Sequence, residues 1–340
     1  MAKNSELGAR RISIVGAGSW GTVLALTLAQ ASHAITLWAF EKEVVEEIQS
    51  RRENSLFLPG FRLPEDVRAT NSLTEALGAA EIVVLAMPSH VGGRIYEEML
   101  PALRADMVFV SATKGLDTAR LMRMSEVFRN VVGDRFAVRF AALSGPSFAR
   151  EVAAGSPTAL VVASEDRAVA QHIQQEFSGP TLRLYTSTDV AGVELGGAVK
   201  NVIAIAAGVV EGLGLGHNPA AALITRGLAE MTRLACACGA RRETLAGLAG
   251  LGDLVLTCTG ELSRNRAVGI ELAKGRALAN IVSSMRMVAE GVKTTAAVVA
   301  LAERYAVEMP ITQQVHRLLQ GQVSPREAIR ELMERALKEE

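Results

Sequence analysis

A strand, a glycine turn and a helix near the N-terminus constrain the fold of this chain more than any other feature. The β-branched run RISIV leads directly into GAGSWG at residues 16–21, and a helix is expected over residues 22–32. In such a turn Gly16 permits the tight bend, Gly18 lets a pyrophosphate approach, and Gly21 packs helix on strand. An ordinary glycine turn is the alternative, and the flanking strand and helix disfavour it. The pattern predicts a dinucleotide-binding α/β fold.

Apolar strands alternate with helical segments over the first half of the chain. The expected strands after the first are residues 35–38, 82–86, 107–111, 138–143, 158–163 and 182–185. This alternation predicts a Rossmann-like, doubly wound, mainly parallel sheet covered by helices on both faces. Ligands bind at the carboxyl ends of such strands. Lys114, Gly145 and Ser147 fall at those ends and are candidate site residues.

The end of the second expected strand leaves the choice of cofactor open. An acidic residue there favours the ribose hydroxyls of NAD, and an arginine favours the 2′-phosphate of NADP. This chain has Phe40 followed by Glu41 and Lys42, which satisfies neither rule cleanly. The sequence therefore predicts NAD or NADP without deciding between them.

The character of the sequence changes after Asp189, where strand patterns stop and helical periodicity continues to the end. We therefore expect two domains with a boundary near residue 188. Residues 1–188 form the dinucleotide-binding domain, and residues 189–340 form an all-helical substrate and catalytic domain.

The helical half opens with residues 192–211, which are small or apolar except for a few positions, one of them Lys200. A helix that is apolar all round is buried. Gly196 and Gly197, one turn earlier, leave a slot beside the lysine for another backbone or a small ligand. A structural alternative is a snorkelling lysine or an ion pair with Glu194 or Glu211.

Two further stretches of the helical half carry polar groups suited to a site. A glycine-rich loop is expected at residues 247–253, and it ends in Asp253. Ser263 is a good N-cap for the next helix, so Arg264 and Asn265 form a plausible anion cradle at its N-terminus. The alternative for Arg264 is a solvated surface arginine.

Composition excludes several classes of function. The formal net charge of the 340 residues is zero and no basic patch appears, so nucleic acid is not an expected partner. The polar N-terminus lacks a secretory h-region, and the apolar run 202–210 is short for a membrane span. Three cysteines, with Cys236 and Cys238 expected as buried thiols on a helix, suit neither a disulfide framework nor a zinc site. A cytoplasmic, metal-free protein is predicted.

Taken together, the motifs closely resemble those of the bacterial-type NAD(P)-dependent glycerol-3-phosphate dehydrogenases. The resemblance extends over about residues 11–337 and keeps the order of the family's motifs. They are GAGSWG at 16–21, LPG at 58–60, TKGL at 113–116, LSGPSF at 143–148, GAVKN at 197–201, LITRGLAE at 223–230, GLGDL at 250–254, SRN at 263–265, AEG at 289–291 and EMPI at 308–311.

This resemblance implies interconversion of sn-glycerol 3-phosphate and dihydroxyacetone phosphate for phospholipid synthesis, by an enzyme that is usually a homodimer. Lys200 is implied as the proton donor and acceptor. The implied substrate-binding residues are Lys114, Gly145, Lys200, Asp253, Ser263, Arg264 and Asn265. Ser147 is added to them because it lies at the carboxyl end of an expected strand. The implied cofactor-binding residues, beside Gly16, Gly18 and Gly21, are Ser19, Trp20, Phe40, Lys114, Ala149, Arg264, Val288 and Glu290.

The chemistry of these residues agrees with the implied reaction. Hydride transfer to a ketone leaves an alkoxide, which needs a proton and a nearby positive charge. Burial and Lys114 would lower the pKa of Lys200, whereas Asp253 would raise it, so the net direction stays open. Two alternative functions remain open: a related β-hydroxyacid dehydrogenase acting on a carboxylate, and a non-catalytic dinucleotide sensor.

Overall fold

The computed structural model describes residues 8–285, 287, 289–337 and 339, and the chain forms two units. The first unit ends at Val190, and the main part of the second begins at Ala191. The segment Lys114–Arg123 belongs to the second unit although the chain on either side of it belongs to the first. No sequence pattern indicated this placement, because it depends on contacts with residues far along the chain.

Within the described chain, the strands are β1 Arg11–Val15, β2 Ala34–Trp38, β3 Glu53–Asn54, β4 Leu58–Arg62, β5 Val67–Thr70, β6 Ile82–Leu85, β7 Val108–Ser111, β8 Leu116–Asp117, β9 Met122–Arg123, β10 Arg139–Ser144, β11 Thr158–Ala163 and β12 Leu182–Ser187. Eight of them form one sheet in the order β12-β11-β10-β7-β6-β1-β2-β5. Adjacent strands in this sheet are parallel, apart from the antiparallel pair β10 and β11. The prediction of a mainly parallel sheet is confirmed.

The helices of the first unit are α1 Ser19–Gln30, α2 Lys42–Arg51, α3 Leu73–Gly78, α4 Ser89–Met99, α5 Met124–Val132, α6 Ala149–Ala153 and α7 Arg167–Phe177. Short 3₁₀ turns span Leu100–Ala102 and Gly133–Arg135. The central strands are buried on both faces, since the neighbours Ile14 and Val15 of β1 and the neighbours Val83 and Val84 of β6 point to opposite faces and are all fully buried. A sheet that is buried on both faces leaves its strand ends as the accessible edge, which is where the predicted site residues of this unit lie.

The helices of the second unit are α8 Val190–Gly212, α9 His217–Ala237, α10 Arg242–Leu245, a π-helix Leu248–Gly252, α11 Asp253–Thr259, α12 Arg264–Ala273, α13 Leu278–Ser284, α14 Glu290–Arg304, α15 Pro310–Leu319 and α16 Pro325–Met333. From residue 189 onward the described residues contain helices and no strand. The predicted succession of an α/β part and a helical part is confirmed.

Helix α8 is the central helix of the second unit. It is long and apolar enough to cross a membrane by composition alone, but 94% of its most apolar window is buried inside the protein. Val199, Val202 and Ile203 lie in the hydrophobic core that α8 shares with the helices around it. Because its apolar residues are already covered by protein, α8 is a core helix.

The expected burial of two cysteines is wrong. Cys236 is exposed on α9, Cys238 is half-buried at the C-cap of that helix, and Cys258 is buried on α11. Helical periodicity explains the difference, because Leu234 and Ala235 face the core and Cys236 falls on the solvent side.

Candidate active site

The glycine turn after β1 has the geometry that a dinucleotide needs. Gly16 has φ +115°, and a Cβ there would lie 2.7 Å from the carbonyl oxygen of Ala86. A Cβ on Gly21 would lie 1.8 Å from the carbonyl oxygen of Gly16. By contrast, a Cβ on Gly18 would meet nothing within 4 Å. The outer glycines are thus required by packing, and the middle one faces open space where a phosphate can approach.

Helix α1 starts inside this motif at Ser19, three residues earlier than predicted, with Gly18 as its N-cap. No side chain caps the helix, and the positive end of its dipole lies beside Gly18, where it would stabilise an anion. This feature of the described structure fits the pyrophosphate of a dinucleotide.

Residues from β3 and the following turn brace the glycine motif. Asn54, which is fully buried, donates from Nδ2 to the carbonyl oxygen of Ala17 and to Oγ1 of Thr22, both at 2.8 Å. Ser19 donates to the carbonyl oxygen of Phe57 at 2.6 Å. The indole N–H of Trp20 is buried without a hydrogen-bond partner in the described chain. Sequence reasoning missed Asn54, since an asparagine in a two-residue strand gives no local signal.

The side chain of Phe40 is 66% exposed just past the end of β2. The guanidinium of Arg94, on α4, lies 6.0 Å from the centre of its ring. Arg94 also pairs with Glu98 at 3.2 Å. A cation therefore lies near the position where NADP-preferring sites have a basic residue, although it comes from a different helix.

Three other predicted residues lie near the carboxyl end of β10 in the first unit. Gly145 has φ +138°, and a Cβ there would lie 3.0 to 3.3 Å from atoms of Leu160 and Ala159. The hydroxyl of Ser147 donates to the carbonyl oxygen of Gly145 at 3.0 Å. Ala149 is the first residue of α6. Their binding roles stay predictions.

The second unit brings three of the predicted residues together around one carboxylate. Lys200 on α8 lies 2.6 Å from Oδ1 of Asp253 on α11, and Lys114 lies 2.7 Å from Oδ2. Lys200 and Asp253 are 5% and 1% exposed. The alternative ion pairs of Lys200 are wrong, because Glu194 pairs with Arg123 and Glu211 with Arg266. Two lysines thus share a single buried aspartate.

Burial decides the question that the sequence left open about Lys200. Loss of hydration lowers the pKa of Lys200 to about 8, and Asp253 opposes the shift while Lys114 adds to it. Lys200 also donates to the hydroxyl of Thr257 at 2.6 Å, and that hydroxyl donates to the carbonyl oxygen of Asp253 at 2.6 Å. Burial raises the pKa of the neighbouring Cys258 thiol to about 12, which keeps it neutral.

Sequence reasoning missed Thr257, although a signal for it exists. Residues four apart on a helix share a face, so Thr257 had to lie beside Asp253 once that stretch was recognised as helical. The stretch was expected to be a glycine-rich loop, and this expectation is wrong. Leu248–Gly252 forms a π-helix that continues directly into α11. Single π-turns are frequent at functional sites.

The slot beside Lys200 is occupied by this π-helix. A Cβ on Gly196 would lie 2.5 Å from the carbonyl oxygen of Ala249 and 3.5 Å from the Cα of Gly250. Of the two expected occupants, another backbone therefore fills the space at Gly196. The small residue lets α8 and the π-helix approach closely enough for Lys200 to reach Asp253.

The predicted N-cap of α12 is confirmed, since the hydroxyl of Ser263 accepts from the backbone N–H of Arg266 at 3.3 Å. Asn265 is buried and donates to the side chain of Asn201 at 2.9 Å, while its oxygen accepts from the backbone N–H of Gly291 at 2.9 Å. Asn265 thereby links α8, α12 and the start of α14. Its proposed contact with substrate stays a prediction.

Arg264 is exposed, and among the described residues its guanidinium makes no hydrogen bond or ion pair within 4 Å. Although the side chain reaches solvent, the protein packed around it removes part of the hydration of the guanidinium and lowers the pKa of Arg264, an effect that Glu290 partly offsets. Arg264 is thus a cation available to a ligand at the N-terminus of α12. Val288, also predicted to contact the cofactor, lies outside the described residues.

Within the described ranges, no group of three or more His, Cys, Asp or Glu side chains is placed to hold a metal ion. The arrangement around Lys200 instead offers a proton, a second ammonium from Lys114 and one carboxylate, and Arg264 is a further cation of the same unit. Such a set suits chemistry on a carbonyl group attached to an anion.

Comparison with known proteins assigns both units. Residues 11–170 match the family model "NAD-dependent glycerol-3-phosphate dehydrogenase N-terminus", and residues 189–330 match its C-terminal counterpart. A glycerol-3-phosphate dehydrogenase [NAD(P)+] of Koribacter versatilis is 60% identical over 96% of this chain and 97% of its own length. One from Geobacter sulfurreducens is 54% identical over 97% of this chain and 98% of its own.

Solved structures give the same result. The crystal structure of glycerol-3-phosphate dehydrogenase from Coxiella burnetii superposes with a TM-score of 0.92 at 42% identity, covering 96% of this chain and 99% of that one. A ketopantoate reductase from Ralstonia eutropha shares the fold alone, with 16% identity and a TM-score of 0.60 over 94% of this chain and 99% of that one.

Proposed function

The chain belongs to the NAD-dependent glycerol-3-phosphate dehydrogenase family, and we propose that it uses Lys200 as the acid–base group when it interconverts sn-glycerol 3-phosphate and dihydroxyacetone phosphate. It is an oxidoreductase that works with NAD(P). The nicotinamide, when bound, supplies or accepts the hydride. In the reductive direction the carbonyl oxygen of dihydroxyacetone phosphate takes a proton from Nζ of Lys200 as its carbon takes the hydride.

The hydrogen bonds of Lys200 carry this proposal. An ammonium has three N–H groups. In the described structure, two of them point to Asp253 and Thr257, so one is left for a substrate oxygen. A pKa of about 8 lets the amine both give and take a proton near neutral pH. Asp253 and Thr257 hold the nitrogen in place through both protonation states.

The cations of the second unit fit a phosphorylated substrate. Lys114 and Lys200 share the single charge of Asp253, which leaves the cluster with a net charge of +1 when both lysines are protonated. Arg264 adds a planar guanidinium that suits bidentate binding of a phosphate. We assign the substrate phosphate to Arg264, and its three-carbon chain to Lys114, Ser263 and Asn265.

The glycine turn of the first unit is proposed to hold the dinucleotide. Gly16, Gly18 and Gly21 would place the pyrophosphate at the uncapped N-terminus of α1. The remaining contacts are assigned to the cofactor-binding residues predicted from the sequence. Because Phe40 and Arg94 supply an aromatic face and a cation, both NAD and NADP are acceptable ligands.

We further propose a metabolic role, a location and an oligomeric state for this enzyme. Production of glycerol 3-phosphate supplies the backbone of phospholipids, and we assign the enzyme that role. We also propose a cytoplasmic homodimer, on the strength of the family resemblance. Sedimentation of the purified protein tests the dimer. A dimer has a molecular mass of about 72 kDa, against 36.1 kDa for one chain.

A substrate panel tests the activity. The purified chain is assayed with NADH and NADPH against dihydroxyacetone phosphate, unphosphorylated dihydroxyacetone and a β-keto acid. Turnover is expected with dihydroxyacetone phosphate. Turnover of the keto acid instead would identify a β-hydroxyacid dehydrogenase, and cofactor binding with no turnover would identify a sensor.

A further inference from the structure

Lys114 reaches Asp253 from a short hairpin that is part of the second unit. Strand β8 pairs antiparallel with β9, and Leu116 lies opposite Arg123. Leu116 is fully buried in the helical core, and Leu121 at the turn packs against the same core. Lys114 is two residues before Leu116, so the position of the hairpin on this core determines the position of the Lys114 ammonium.

The second strand of the hairpin makes an ion pair with the helix that carries Lys200. Nη1 of Arg123 lies 3.1 Å from Oε2 of Glu194, and the two side chains are 17% and 4% exposed. Glu194 precedes Lys200 by six residues on α8, which is about 9 Å along the helix axis. A buried ion pair loses hydration, so it gives little net stability, and its best-attested use is to specify one arrangement over others.

We propose that Arg123 and Glu194 are positioning residues for Lys114, and that their ion pair holds the hairpin on α8 so that Lys114 stands beside Asp253. The inference rests on the proposed function of the Lys200 site. The contacts form a closed ring. Lys200 binds Asp253, Asp253 binds Lys114, and the hairpin of Lys114 returns through Arg123 to Glu194 on the helix of Lys200.

The ring explains how a distant ion pair affects the reacting group. The charged and titratable groups that face Lys200 are Asp253, Lys114 and Cys258. Lys114 lowers the pKa of Lys200 by charge repulsion, and it also neutralises part of the negative charge of Asp253. If the hairpin shifts and Lys114 withdraws, Asp253 acts on Lys200 alone and the pKa of Lys200 rises.

The first test compares Arg123→Met, Glu194→Gln and Arg123→Lys with wild type. For the first two, kcat/KM for dihydroxyacetone phosphate is expected to fall about tenfold, and the pH midpoint of reductive kcat should rise. NADH binding should not change. Arg123→Lys keeps the charge and should recover most of the activity. A lower Tm with a wild-type pH profile and kcat/KM would overturn the proposal.

Glu211→Gln is the matched control. It breaks the ion pair of Glu211 with Arg266, which spans 2.5 Å near the other end of α8. This ion pair is not part of the ring of contacts that includes Lys114. Its pH profile should match wild type. If Arg123→Met does not fold, Glu194→Gln and Arg123→Lys decide the outcome.

The decisive measurement is coupling to Lys114. If Arg123 acts only through Lys114, the double variant Arg123→Met/Lys114→Ala should be no slower than Lys114→Ala alone. Additive losses would refute the positioning role. The coupling between Arg123 and Lys114 is measured independently of the acid–base role of Lys200. Retained turnover in Lys200→Met would refute the acid–base role, and the double variant would still show whether Arg123 acts through Lys114.

Discussion

Lys200 on α8 and Asp253 on α11 lie 2.6 Å apart, nitrogen to oxygen, although they are 53 positions apart in the sequence. The approach depends on Gly196, which lets the backbone before Asp253 lie directly against α8. The same aspartate holds Lys114. A single carboxylate thus fixes two lysines whose charges influence each other.

Lys200→Met should abolish most of the catalysis and leave the fold intact. The methionine keeps the apolar stem, and Asp253 retains Lys114 as its partner, so no buried charge is left uncompensated. We expect kcat to fall by about 10²- to 10⁴-fold. NADH binding, measured by fluorescence, and Tm should change little. Lys274→Met, at an exposed lysine of the same unit, is the control. A variant that melts early but turns over normally when cold would make Lys200 a structural residue.

The pH dependence of the two reaction directions should be opposite. Reduction needs the protonated amine, so its kcat is expected to fall as the pH rises through about 8, whereas oxidation needs the neutral amine and should rise there. Asp253→Asn removes the charge that raises the pKa of Lys200, so its midpoint should move to lower pH. A wild-type midpoint near 10.5, the ordinary value for lysine, would contradict the effect of burial.

Arg264→Ala should weaken binding of the substrate phosphate. It removes a charge-assisted bidentate contact, which contributes roughly 1.5–3 kcal/mol. KM for dihydroxyacetone phosphate should therefore rise by more than tenfold, with a much smaller effect on unphosphorylated dihydroxyacetone. Arg276→Ala, which removes a surface arginine of the same unit, is the control. Equal losses on both substrates would point to folding or cofactor binding instead.

Both NADH and NADPH should be used, without a strong preference for NADPH. Phe40 provides no charge for the 2′-phosphate, and Arg94 beside it is partly engaged by Glu98. Arg94→Ala should lower kcat/KM for NADPH more than for NADH. A wild-type kcat/KM for NADPH that exceeds the NADH value by more than about a hundredfold, or 2.7 kcal/mol, would reveal a phosphate site elsewhere.

Gly196→Ala should destabilise the protein and slow it. The new methyl group would lie 2.5 Å from the carbonyl oxygen of Ala249, so α8 and the π-helix must separate. Overpacking of this kind costs about 1–3 kcal/mol. Denaturant unfolding with kcat measured in parallel checks both effects. Gly78→Ala, where a Cβ meets nothing within 4 Å, should be neutral. A fully stable and active Gly196→Ala would show that the close approach is not required.

Local patterns were enough to predict the family, the parallel sheet and the helical second half. The strand runs, the glycine turn and the N-cap at Ser263 are each specified within a few residues, because backbone preferences and hydrophobic periodicity act over short distances. The family resemblance is confirmed by the comparisons. Helix starts were less well predicted, as α1 begins inside the glycine motif.

Tertiary structure alone decided the electrostatics of the site. The partner of Lys200 is Asp253 and neither nearby glutamate of its own helix, because Arg123 and Arg266 take those glutamates. The loss of hydration that lowers the pKa of Lys200 depends on how closely the surrounding helices pack. The hairpin that brings Lys114 to the site likewise depends on contacts between residues distant in sequence. Such contacts leave no periodic trace in the sequence, so only the packed structure shows them.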